Sequence, residues 1–157
     1  MATPLYRIIP LITVISLSAS GAGCRSSEPE SELGVDLLPP VEGIPESVLA
    51  RLPEGASMET LRTGRDQYGP CLVCHGPEAE GTQLGPEFRT SGWVHSDGTI
   101  EGIETVIRSG VARPQHFPVP MPAMGGGAFD EEHLRALATY VYALSIARES
   151  PESSPGR

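Results

Sequence analysis

The feature that most constrains this chain is a five-residue run, Cys71-Leu72-Val73-Cys74-His75. Two thiols separated by two residues fall on one helical turn and project to the same side, with an imidazole following at once. That spacing is the attachment pattern of c-type haem. The two sulfurs reach the two vinyl groups of a porphyrin lying against the turn, and the imidazole meets the iron as its proximal ligand. The competing chemistries ask for companions that the chain lacks. A redox dithiol belongs in a βαβ context, and a zinc site needs a further Cys or His pair at comparable spacing. His95, His116 and His133 stand singly, and the only other cysteine is Cys24. One covalently bound haem, held through Cys71 and Cys74, is therefore expected.

The remainder of the chain divides by composition. Arg7 precedes the apolar run Ile8–Leu17, which is followed by small residues up to Gly23 and then Cys24. A basic start, a short apolar stretch and a small-residue exit make a secretory signal over residues 1–23, too short and wrongly flanked for a membrane span. The ending Gly21-Ala22-Gly23-Cys24 resembles the lipobox of bacterial lipoproteins, with Gly21 where that motif usually carries Leu. The resemblance implies cleavage before Cys24 and lipid on its sulfur, an anchor of more than one acyl chain. The plainer alternative is an ordinary cleaved signal that leaves Cys24 a free thiol. Residues 24–56 are acidic and rich in Pro and Ser, and read as a tether. As flexible coil, its residues would span about 30 Å root-mean-square. Leu37-Leu38 and Val48-Leu49 could dock on the domain or form a turn of helix, a choice the sequence leaves open. The folded unit is expected over 57–148, with a disordered tail at 149–157. All eleven basic residues are arginines, scattered against 20 acidic ones for a net charge of −9. No basic footprint for nucleic acid exists in that distribution.

Within 57–148, local signals give three main helices. Ser57 can cap a helix carrying Met58, Leu61, Gly64, Arg65 and Tyr68. Thr99 or Asp97 can cap a second, with Ile100, Ile103 and Ile107 on one face, ending before Gly110. Asp130 is the N-cap of a third, flanked by Phe129 and Leu134 at staple spacing. Leu134, Leu137, Val141 and Leu144 then form one apolar stripe, with Tyr140 beside it.

Taken with the Cys-x-x-Cys-His run, this pattern resembles the class I cytochromes c over nearly all of 57–148. The resemblance implies a small all-α domain with three main helices around one covalent haem. That cofactor supplies the core that aromatics, 5% of the chain, do not fill. It implies that the first and last helices cross closely at Gly64, beside Tyr68, with Tyr140 packed against the glycine. It assigns Met121, in the Pro120-Met121-Pro122-Ala123 segment, as the sixth iron ligand opposite His75. Met124 is the alternative, and His116 a weaker one. It assigns the carbonyl of Pro86, in Leu84-Gly85-Pro86, as acceptor for the ring of His75. Trp93, the sole tryptophan, could donate to a haem propionate or simply fill the core. Arg89 could face a propionate or sit in solvent.

Thioether ligation favours ferrous iron, so a His/Met pair raises the reduction potential. With both axial positions filled, no place remains for a small-molecule substrate, and the resemblance implies an electron carrier and not an enzyme. Its setting would be the periplasmic side of a bacterial membrane, lipid-anchored or otherwise soluble in the periplasm. Its partners would be a redox donor and a redox acceptor. Two further readings stay open: a fixed electron-transfer subunit of a larger dehydrogenase or oxidase, and a haem enzyme or ligand sensor with a labile sixth site.

Overall fold

A computed structural model of the chain describes residues 38, 40–88 and 92–149. The signal, Cys24, Leu37, Arg89 and the tail beyond Glu149 lie outside the described residues. Among the described residues the regular structure is helical, with one isolated antiparallel bridge pairing Val111 and Met121. The helices are α1 (Glu46–Leu49), α2 (Met58–Asp66), α3 (Leu72–His75), α4 (Ile100–Ser109) and α5 (Glu131–Ala147), joined by short 3₁₀ turns at Val41–Gly43, Gly69–Cys71 and Ala123–Gly126. The expected all-α fold and its three main helices are those observed.

Each long helix starts where its capping residue puts it. The Ser57 hydroxyl accepts from Thr60 N at 3.1 Å, and Thr60 Oγ1 accepts from Ser57 N at 3.4 Å, a reciprocal capping box. At α4, Thr99 accepts from Gly102 N at 3.0 Å. Asp97, the alternative cap, instead braces Thr99, accepting from its N–H and its hydroxyl. Asp130 accepts from His133 N at 2.8 Å and opens α5.

Helix α5 is the axis of the domain. A single apolar stripe is expected from its sequence, yet it is buried almost all round from Leu134 to Ile146. The reason is that α2, α4 and α1 all pack on it. Ala136, Ala138 and Ala143 keep its other faces small enough for close approach, and the hydroxyls of Thr139 and Ser145 donate back to the carbonyls of Arg135 and Tyr142.

The α2–α5 crossing is as tight as the resemblance implies. A Cβ on Gly64 would lie 2.7 Å from both the carbonyl carbon of Ala136 and the Cβ of Tyr140. Tyr68 meets Tyr140 edge-on, ring centres 5.6 Å apart.

The boundary at residue 57 is corrected. Leu38, Val41 and Val48 are buried in the core. The Leu38 carbonyl accepts from Arg65 at 2.7 Å, and Glu42 pairs with Arg62 at 2.9 Å. Leu38 and residues 40–52 form a strap in which Leu38 and Val48 dock on the core, and Val48-Leu49 also lie in the turn of helix α1, so both alternatives are realised. An acidic, proline-rich composition hid Val41 and left Leu38, Val48 and Leu49 undecided, because their value depends on the groove that α2 and α5 provide.

Candidate haem-binding site

The attachment turn begins where α2 ends. Pro70 sits in the first turn of the 3₁₀ segment and leads into α3, which stops at Gly76 in a left-handed conformation, φ +80°. The buried hydroxyl of Tyr68 donates to the Gly76 carbonyl at 3.0 Å, tying the end of α2 to the end of the turn. Cys71, Cys74 and His75 thereby lie on one side, lining a single cleft.

The loop after the turn folds back beneath it. Gly81 N donates to His75 O, and the Thr82 hydroxyl donates to Cys74 O at 2.8 Å while accepting from Leu84 N. Gly85 approaches so closely that a Cβ there would sit 2.8 Å from the Cys74 carbonyl oxygen. This return delivers Pro86 O to His75 Nδ1 at 2.8 Å. A carbonyl can only accept, so Nδ1 carries the proton and Nε2 is left as a bare donor atom for the cleft. Burial holds the His75 imidazole below the usual histidine range, opposed by the bond to Pro86. Burial, with Cys74 second, pushes the Cys71 thiol up to about 12. Such a thiol is not a redox nucleophile, which needs a lowered value. Among the described residues no group of three or more His, Cys, Asp or Glu gathers to hold a metal ion, so the zinc alternative has no companion ligands.

Two aromatics extend this wall. Phe88 lies against His75, ring centres 4.4 Å apart, and Trp93 stacks on Phe88 at 5.7 Å. Phe88 was not anticipated from sequence; one Phe in a polar stretch carries no periodic signal. Trp93 Nε1 is buried with no hydrogen-bond partner among the described residues.

The segment after α4 lines the same cleft. Val111 and Met121 pair through Val111 N to Met121 O (2.8 Å) and Met121 N to Val111 O (3.0 Å). Gly110, with φ +66°, lets α4 end directly against this pair, since a Cβ would lie 2.6 Å from Ala123 N. Gly110 is thus a position whose role the sequence disguised as that of a mere helix terminator. Met121 lines the cleft between Pro120 and Pro122, whereas Met124, in a left-handed conformation, packs against the core and does not line it. His95 and His116 line the exposed rim.

The cleft encloses about 1250 Å³ counted to its open mouth. Its lining is apolar, and, histidines aside, Glu87, paired with Arg148, is the only charged side chain among the described residues that line it. Two thiols, a bare imidazole nitrogen, an apolar lining and one orphaned indole N–H fit a porphyrin with acidic edge groups.

A small helical domain closing on such a cleft has the build of a c-type cytochrome. Residues 59–141 match the model of the family described as cytochrome c oxidase, cbb3-type, subunit III, and the chain belongs to that family. No solved structure matches it. Membership brings covalent haem c and an electron-transfer role, not catalysis by this domain alone. No helix among the described residues is long and apolar enough to cross a membrane.

Proposed function

We propose that this protein is a mono-haem electron carrier, its single haem joined to Cys71 and Cys74 and ligated by His75 and Met121. The observation that carries the reading is the convergence of those four side chains on one apolar cleft, with Pro86 O fixing the tautomer of His75. When bound, the haem supplies a one-electron iron couple. The chain's own residues do the rest. Pro86 orients the imidazole and raises its basicity. Trp93 offers its N–H to an acidic edge group, and the apolar walls exclude water, which together with a thioether ligand favours the reduced state.

The signal over 1–23 and lipid on Cys24 would hold the domain at the periplasmic face of a membrane. Thirteen residues lie between Cys24 and Leu38, about 20 Å root-mean-square if coil. Such a leash keeps the domain at high local concentration near membrane-bound redox partners.

The family's description favours a second reading, a fixed electron-transfer subunit of an oxidase complex. Detergent extraction separates the two: a monodisperse lone lipoprotein supports the carrier, and co-purification with a large complex supports the subunit.

The central test is mass spectrometry of the exported protein with an absorption-monitored redox titration. One added tetrapyrrole and one reversible one-electron step are expected; an unmodified mass overturns the reading. Carbon monoxide added to the reduced protein at neutral pH should leave the spectrum unchanged. A prompt change would point to the enzyme or sensor with a labile sixth site.

A further inference from the structure

We propose that His116 is a second ligand for the sixth iron position, competing with Met121 in the ferric state. The inference rests on Met121 being the ligand of the reduced protein.

His116 is a metal-ligating side chain that electron transfer through a His75/Met121 pair leaves unused, and it lines the same cleft as both. The chain has no lysine, and arginine stays protonated and does not ligate, so imidazoles are the nitrogen donors within reach. Two uncommitted imidazoles line the rim. His95 follows Trp93, whose ring stacks on Phe88 and so belongs to the wall of His75. His116 lies on the same loop as Met121, between Val111 and Met121.

The loop is built to allow exchange. Residues 112–120 are closed at their base by the Val111–Met121 bridge, and among the described residues no backbone hydrogen bond holds them above it. His116 lies at the middle of this stretch and is exposed. The apex can therefore move over the cleft mouth while the bridge stays intact, the kind of low-cost local opening expected where exposed backbone lacks internal partners.

The chemistry gives the direction. A thioether favours ferrous iron and an imidazole nitrogen favours ferric iron relative to it. Oxidation in the ordinary one-electron cycle thus moves the balance from Met121 toward His116, and reduction moves it back, with no further reactant.

The test uses ferric holoprotein and the volume-conserving variant Met121→Leu. It should lose the weak far-red sulfur–iron band yet remain low-spin, because His116 takes the position. Met121→Leu combined with His116→Ala should become high-spin and bind added imidazole at least about tenfold more tightly, since the site is no longer self-occupied. A high-spin spectrum in Met121→Leu alone overturns the proposal, as does loss of the low-spin state on adding His95→Ala in place of His116→Ala. Retention of the far-red band in Met121→Leu instead defeats the assignment of Met121 itself. If Met121→Leu yields no holoprotein, His116→Ala in the otherwise unaltered protein decides. It should raise the reduction potential, with His95→Ala as the control that leaves it in place; an unmoved potential in His116→Ala overturns the proposal.

Discussion

Gly64 shows how one missing side chain sets the geometry of this domain. Its place inside α2 costs helix propensity of roughly 1 kcal/mol relative to alanine, and nothing local explains it. The explanation is the backbone of Ala136 and the Cβ of Tyr140, each within van der Waals overlap of any added Cβ. Gly64→Ala should therefore destabilise the holoprotein by about 2 kcal/mol or more, overpacking outweighing the propensity gain, as read from its denaturant midpoint. Met121 and Met124 make the second contrast at this scale. They are three residues apart and chemically identical, but only Met121 lines the cleft. Met121→Ala should abolish the far-red sulfur–iron band in the ferric absorption spectrum, and Met124→Ala should leave it.

Among the elements, α4 and α5 are joined by more than apolar packing. Arg108 pairs with Glu131 and Glu104, and Arg135 with Glu101 and Glu104, a network across the two helices. Arg135 holds Glu101, and Arg108 holds Glu131, below the usual carboxylate range; the backbone N–H of His133 does the same for Asp130. A carboxylate whose value is lowered by folding stabilises the fold above its unfolded value, near pH 4, and loses that contribution as pH falls through its folded value. Thermal unfolding should thus show a midpoint that falls as pH drops from 5 to 3. Arg108→Gln should flatten that slope, and added salt should weaken it because the pairs are exposed.

On the scale of the whole molecule, the strap is part of the packed domain. Its own Val41 and Val48 are almost wholly buried against the helices, at 2% and 0% exposure, so the strap belongs to the cooperative unit. Val48→Ala should cost about 2 kcal/mol from lost burial and the cavity left behind. A holoprotein that starts at residue 57 should melt well below one that starts at residue 38, as followed by calorimetry. Equal melting points would mean that the strap contributes nothing.

Much of this molecule was legible from short-range pattern, and the reason is physical. Attachment of a porphyrin needs two thiols and an imidazole on one turn, a requirement satisfied within five residues. Helix starts are likewise local, and Ser57, Thr99 and Asp130 announce them through side-chain bonds to their own first turns. What no local pattern holds is the value of a residue set by a distant surface. Phe88 matters because His75 lies against it, Gly110 because the Met121 segment passes over it, and Val41 and Val48 because α2 and α5 leave a groove to fill. The return of Pro86 O to Nδ1 depends on the loop folding back beneath the attachment turn, and the choice between two methionines on which of them the fold brings into the cleft. The amino-acid order therefore determined the chemistry and the helices, while which side chains line the cleft together was decided only by tertiary packing, where sequence separation no longer measures distance.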